Sequence, residues 1–172
     1  MTSPTPPALT GNLALLEQGL RLLDQLTQDR YRATWEGQSS IGAQYRHILE
    51  HYGCLLAGAD AGQVDYDTRP REKVLEEDPR AAAQRTRELT ALLAAVDPTS
   101  LNRNLLARHA ATPDQTDLSG FQSSLGRELL FLLSHTVHHF AVIRLLLQRQ
   151  GTDGDPRLGV APSTEAHKAA AR

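Results

Sequence analysis

Apolar positions recur along this chain at the three- and four-residue spacing of amphipathic helices, in four blocks. Between Leu9 and Arg30, the residues Leu13, Leu16, Leu20, Leu23 and Leu26 fall on one stripe and predict a first helix. Ser39 and Ser40 offer an N-cap to a second, from Ile41 to about Gly58, with Ile48, Leu49, Tyr52 and Leu56 as packing surface. Asp78-Pro79 reads as a helix start, and the helix it opens runs through Leu89, Leu92, Leu93 and Val96 until Asp97-Pro98 stops it. The fourth block, Leu125 to Gln150, has Ser123 or Ser124 as its cap and Gly151 as its terminating C′ glycine. That block is apolar nearly all round, which predicts a buried helix.

The connections differ in character. Tyr31 to Gln38 is a short link whose Tyr31 and Trp35 are expected to pack over one end of the bundle. Ala59 to Glu77 is long and polar, and its Tyr, Asp and Arg content predicts more than a spacer. Within Pro98 to Gln122, LNRNLLARHA reads as a short strand, a helical turn or a lid, and ATPDQTDLSG as loop. No strand pattern is convincing, so the expected fold is an all-α four-helix bundle with long inter-helix links. Residues 1–8 form a Pro/Thr/Ser tail expected to be disordered, 9–151 the bundle, and 152–172 a partly ordered C-terminal tail.

Charge and cysteine content narrow the function classes. Eighteen basic against 20 acidic residues give a formal net charge of −2, no footprint for nucleic acid or an anionic membrane. The single cysteine, Cys54, excludes an intrachain disulfide and fits a reducing cytoplasm. The N-terminus lacks the pattern of a signal peptide, and no uninterrupted apolar run approaches membrane-spanning length. A cytoplasmic protein without membrane or nucleic-acid partners is therefore expected.

Five of the seven histidines lie in two of the predicted helices: His47 and His51 in the second, His135, His138 and His139 in the fourth. His47/His51 and His135/His139 are each four residues apart, so each pair stacks on one helix face. A pair from one helix with a single histidine from the other gives three ligands and open positions, the arrangement of a catalytic rather than a closed structural site. The plainer reading is that each ring is a buried core residue with its own hydrogen-bond acceptor. Other metal chemistries fail. Glu128 and Glu50 are followed at the third position by Phe131 and Gly53, which excludes a di-iron Glu-x-x-His motif, and Thr136 after His135 excludes His-Glu-x-x-His. Cys54, seven residues and about 10 Å beyond His47 along a helix, is expected in the core.

The segments SSIGAQYRHILEHYGCLLAG and LGRELLFLLSHTVHHFAVI, with VDYDTRPRE between them, resemble the DinB-like (DinB/YfiT) superfamily of metal-binding four-helix bundles over most of Leu9 to Gly151. The resemblance implies metal ligation by His47 of the second helix and the pair His135 and His139 of the last. By this match His51 and His138 are not ligands; each is either a helix-interface residue or a catalytic pocket group such as a proton shuttle. One divalent ion is implied, zinc or nickel first, with iron or manganese as alternatives.

Members of the superfamily include metal-dependent transferases that conjugate low-molecular-weight thiols, so the resemblance implies a metal-dependent thiol transferase or a related detoxification or stress-response enzyme, and a homodimer. Coordination would lower the pKa of a bound thiol or water to give a nucleophile at neutral pH. Tyr66, Arg69 and Arg71 of the long link are candidates to bind the carboxylates of a small thiol, against the plainer reading of a solvated polar loop. A metal-dependent hydrolase, a non-catalytic metal-binding protein and a purely structural bundle are the rival readings. His109 is a further group that could approach the site.

Overall fold

The computed structural model describes residues 5–35, 37–110, 112 and 120–170. Four long helices carry the fold: α1 (Pro7–Leu23), α3 (Ile41–Gly58), α5 (Pro79–Ala94) and α6 (Leu125–Arg149). Short helices α2 (Gln28–Arg32) and α4 (Lys73–Glu77) fill the connections, a 3-10 turn spans Pro98–Asn102, and α7 (Pro162–Ala170) follows the bundle. α1 and α3 each pack against both α5 and α6, closing a four-helix ring around one core.

The helix termini follow the capping chemistry of the sequence. Ser40 Oγ accepts the Ala43 N–H, Asp78 the Arg80 N–H, and Ser124 Oγ the Arg127 N–H. At the other end of α6, Gly151 takes a φ of 74°, and the N–H groups of Thr152 and Gly151 donate to Leu147 and Gln148. That pair of bonds is a Schellman closure, which needs the left-handed residue that glycine supplies.

Three features depart from the sequence expectations. The first helical stripe does not run to Arg30: α1 ends at Leu23, and Thr27 caps the separate α2. The break turns the chain so that Tyr31 is fully buried and donates its hydroxyl to the Leu75 carbonyl at 2.6 Å.

The fold is also not purely α. A three-stranded sheet, β1 (Gln63–Asp65), β2 (Asn104–Arg108) and β3 (Gly120–Ser124), is built from the two long links. β1 runs parallel to β2 with Gln63 opposite Leu106, and β3 runs antiparallel with Asn104 opposite Ser124. LNRNLLARHA thus contains a strand, while most of the ATPDQTDLSG loop lies outside the described residues. Val64 and Leu105 are the buried anchors of this sheet.

Finally, α6 is less buried than its composition predicts. An 18-residue window of it has a mean hydropathy of 1.5, long and apolar enough to cross a membrane, yet only 33% of that window is buried inside the bundle. Leu130 and Leu145 are 53% and 62% exposed on its outer face. The C-terminal segment covers part of α6: Leu158 is buried, and Gly159 lies so close that an added Cβ would stand 2.2 Å from the Ala141 nitrogen. α7 beyond it buries none of its side chains. Of the N-terminal tail, Pro7 and Ala8 already belong to α1, and residues 1–4 lie outside the described residues.

Polar side chains tie the helices together inside the core. Asn12 of α1 donates to the Leu129 carbonyl of α6 at 2.8 Å and accepts the Tyr52 hydroxyl of α3 at 2.6 Å. Thr136 of α6 closes the set by donating to the same Tyr52 hydroxyl at 3.3 Å. With its partners met, a buried network of this kind fixes one mutual arrangement of three helices. That arrangement is the frame on which the histidines of α3 and α6 meet.

Candidate metal centre

α3 and α6 pack side by side, and their histidine pairs face each other across the contact. One ligand atom from each of His47, His135 and His139 lies within 4.8 Å of the other two, and all three residues are half-buried. A metal bonded at about 2.1 Å to each nitrogen holds such atoms some 3–4 Å apart, so small side-chain rotations close the shell. The triad is the trio that the resemblance assigns as ligands.

Burial sets the protonation state. Desolvation is the main cause that pushes His47 down to about 3 and His135 and His139 down to about 4, with the neighbouring imidazoles adding to it. All three rings are therefore neutral at pH 7, the form that coordinates a metal. Nε2 of His135 is buried without a hydrogen-bond partner among the described residues. An orphaned buried nitrogen costs about 1–3 kcal/mol, and a metal ion on its lone pair removes that cost. The donor set, three neutral nitrogens, fits a divalent transition ion.

A second layer orients the ligands. Nδ1–H of His139 donates to Oε1 of Gln44 at 2.5 Å, and the Gln44 amide nitrogen donates to Ser39 Oγ. With its oxygen turned to His139, Gln44 favours the tautomer that leaves Nε2 of His139 free. Such outer partners hold metal-ligating imidazoles in place. Gln44 precedes His47 by three residues and shares its helix face, the sequence signal that marks it.

The remaining sequence candidates separate into neighbours and bystanders. His51 is buried, and its ring centroid is 4.3 Å from those of both His47 and His135. Its Nδ1–H donates to the His47 carbonyl at 2.7 Å, and burial pushes its pKa down to about 4. His138 is exposed, with its ring 5.2 Å from that of His139, and stands outside the triad. Cys54 is half-buried against the core, and desolvation raises its thiol pKa. His109 is exposed and pairs with Asp67 at 3.4 Å.

Of the link residues, Tyr66 packs on a histidine, Arg69 is tied to Tyr66, and Arg71 shares neither contact. The Tyr66 ring stacks on His51 at 5.4 Å, and its hydroxyl donates to Glu128 Oε2 at 2.8 Å. Arg69 donates through Nη1 to the Tyr66 carbonyl, and its Nε stands 4.0 Å from Glu50 Oε2. Arg71 is exposed, in the left-handed backbone region with φ 53°.

Two buried acids, Glu50 and Glu128, pin this part of the link, and neither lies in a ligand motif. Glu50 Oε1 accepts the Glu72 N–H at 2.8 Å, tying the link to α3. Glu128 accepts from Tyr66, from Ser123 Oγ at 2.5 Å and from Arg127 at 3.3 Å, tying the link and β3 to α6. Both belong to the class of charged residues that enter a core only when paired, and their positions one turn from His47 and two turns before His135 were the available hint.

No family model matches the chain, and no solved structure matches it. A protein named FK506-binding protein 5, from Rhizopus delemar, is 34% identical to it over 106 residues, which is 60% of this chain and 27% of that protein. The chain therefore corresponds to about a quarter of the length of that relative.

Proposed function

We propose that this protein is a divalent-metal enzyme of the DinB-like superfamily that uses His47, His135 and His139 as ligands and conjugates a low-molecular-weight thiol in detoxification or stress response. The observation that carries the reading is the convergence of three neutral, half-buried imidazoles from α3 and α6, one with a buried nitrogen that lacks a partner among the described residues. An ion held there supplies Lewis-acid activation of a thiol at neutral pH. The chain's own groups would then do the positioning: Gln44 holds His139, and Tyr66 and Arg69 wall the side next to His51. A homodimer, which the resemblance implies, would find an apolar face in Leu130 and Leu145 of α6. A cytoplasmic setting fits the lone half-buried Cys54.

A second reading has a specific observation in its favour. The fourth imidazole, His51, is as close to the rings of His47 and His135 as those rings are to others in the cluster. A closed four-histidine shell would bind metal without catalysis.

Metal content of tag-free protein, by plasma mass spectrometry, separates these readings from a purely structural bundle. Near-stoichiometric metal in the parent and little in a His135→Ala/His139→Ala variant is the expected result. Thiol conjugation by the loaded parent then favours the enzyme, and full metal with no conjugation or exchangeable ligand favours the closed site. No metal after incubation with zinc, nickel, iron or manganese would sink both.

A further inference from the structure

The stripe of α6 that carries two of the metal ligands does not end at them. His135 and His139 are followed on the same helix face by Val142 and Leu146, at spacings of four, three and four residues. Val142, Leu145 and Leu146 line a cavity of about 340 Å³ whose other walls are Gln38, Ser39 and Arg149. A hydrogen-bonded bridge ties this cavity to the histidines. Ser39 accepts the Gln44 amide N–H, and Gln44 accepts Nδ1–H of His139. Val142 stands three residues beyond His139 and Leu146 seven, about 4.5 and 10.5 Å of rise along the helix axis.

The lining decides what the cavity takes. Its α6 side is aliphatic, and among the described residues no acid lines it. The cation at its rim is engaged at the end away from the histidines. Arg149 donates through Nη1 to Gln38 Oε1 at 3.2 Å, and its guanidinium lies 5.7 Å from the Trp35 ring. An apolar recess beside a few polar groups is the usual make-up of a small-molecule site, and here the nearby polar group is the metal centre. The larger groove of about 780 Å³ between α3 and α5 includes no residue of the histidine stripe.

We propose that this cavity is a specificity pocket of the metal centre, taking the uncharged alkyl or aryl tail of a ligand whose donor atom sits on the metal. The inference rests on the metal reading above and adds the ligand's chemical class to it: an amphiphile with a metal-binding head and an apolar tail. Each methylene buried against Val142 and Leu145 adds affinity, so the pocket reads tail length.

The test loads the parent, Val142→Asn, Leu145→Gln and Leu130→Gln with cobalt(II) and titrates each with ethanethiol and, separately, with hexane-1-thiol. Visible absorption of the cobalt reports ligand entry, and cobalt content is measured in parallel. The parent is expected to bind hexane-1-thiol at least tenfold more tightly than ethanethiol. In Val142→Asn and Leu145→Gln that ratio falls at least fivefold, at unchanged cobalt content and unchanged ethanethiol affinity. Leu130, exposed on α6 but outside the cavity, is the control, and Leu130→Gln keeps the parent's ratio. Equal affinity of the parent for the two thiols overturns the inference, as does a preference that both cavity variants retain or a cobalt-loaded parent that responds to neither thiol; all three leave the metal reading intact. A parent dimer that Leu145→Gln dissociates in sedimentation, with no preference between the thiols, gives the cavity to a second copy and overturns the inference too. A parent that takes up no cobalt removes both readings. Leu145 is 62% exposed, so should Val142→Asn not fold by circular dichroism, Leu145→Gln carries the comparison, and a ratio equal to the parent's overturns the inference.

Discussion

Gln44 and His139, on facing helices, share a 2.5 Å hydrogen bond that sets which nitrogen of the histidine is free. Ser39 holds the far end of the Gln44 amide. Replacing Gln44 with alanine is expected to lower metal affinity by about 10–100-fold while the bundle still folds. Competition with a metal-binding dye measures this. Unchanged affinity would show that α6 packing alone orients His139.

The histidine cluster also fixes how stability varies with pH. His47 titrates at about 3 and His51, His135 and His139 at about 4 in the folded protein, against about 6.5 for an unfolded histidine. In the window between these values the unfolded chain binds more protons than the folded one, so stability rises with pH there. The contribution is complete above about pH 6.5 and is lost as pH falls through 6.5 towards 4. Urea unfolding of metal-free protein between pH 7.5 and 4.5 checks the sign, and the His135→Ala/His139→Ala variant should show a shallower slope. A midpoint that does not move with pH in the parent would contradict burial of the cluster.

Tyr66 is predicted to matter for stability as well as for the site wall. Its hydroxyl bonds a buried carboxylate, so Tyr66→Phe should cost about 1.5–3 kcal/mol. Ser123 and Arg127 remain on Glu128 and keep the loss within that range. The urea midpoint should fall with an unchanged slope, and an unaltered midpoint would mean that water takes the place of the hydroxyl.

Two glycines of α3 should respond in opposite directions to the same change. A Cβ on Gly42 would stand 2.0 Å from the Glu76 carbonyl oxygen, a backbone atom, whereas nothing among the described residues lies within 4 Å of one on Gly53. Gly42→Ala is expected to destabilise by about 1–3 kcal/mol through forced separation of α3 and α4. Gly53→Ala is expected to stabilise by about 0.5–1 kcal/mol through helix propensity. Melting temperatures of the two variants give the comparison directly.

What could be read in the chain followed how local each feature is. Caps, periodic leucines and the terminal Gly151 act within one or two turns, and α3, α5 and α6 lie where those signals put them. The pairs His47/His51 and His135/His139 are local too, which is why the triad could be named from spacing and resemblance together. The sheet was not legible because β1 has three residues and its partner is 43 positions away, Gln63 against Leu106. Nor could composition show that α6 has only part of its surface covered, since apolar content does not count neighbours. The break in α1 was hidden because Leu26 continues the stripe in number while Asp24 to Leu26 leave the helix in space. Glu50 and Glu128 were seen only as failed ligand motifs, and their role depends on link residues that fold back onto them.

Ser124 ends β3 and caps α6 at once, so strand and helix are joined with no spacer. His135 lies 11 residues further on, roughly 16 Å along the helix axis. The pairing of Ser124 with Asn104 therefore sets the rotational phase at which α6 presents its imidazoles. One residue inserted between Ser124 and His135 would turn them by about 100° away from α3, with every side chain intact. Changes of chain length are thus a sharper hazard here than changes of sequence: length variation belongs beyond Gln150, where the Schellman closure has already released the helix.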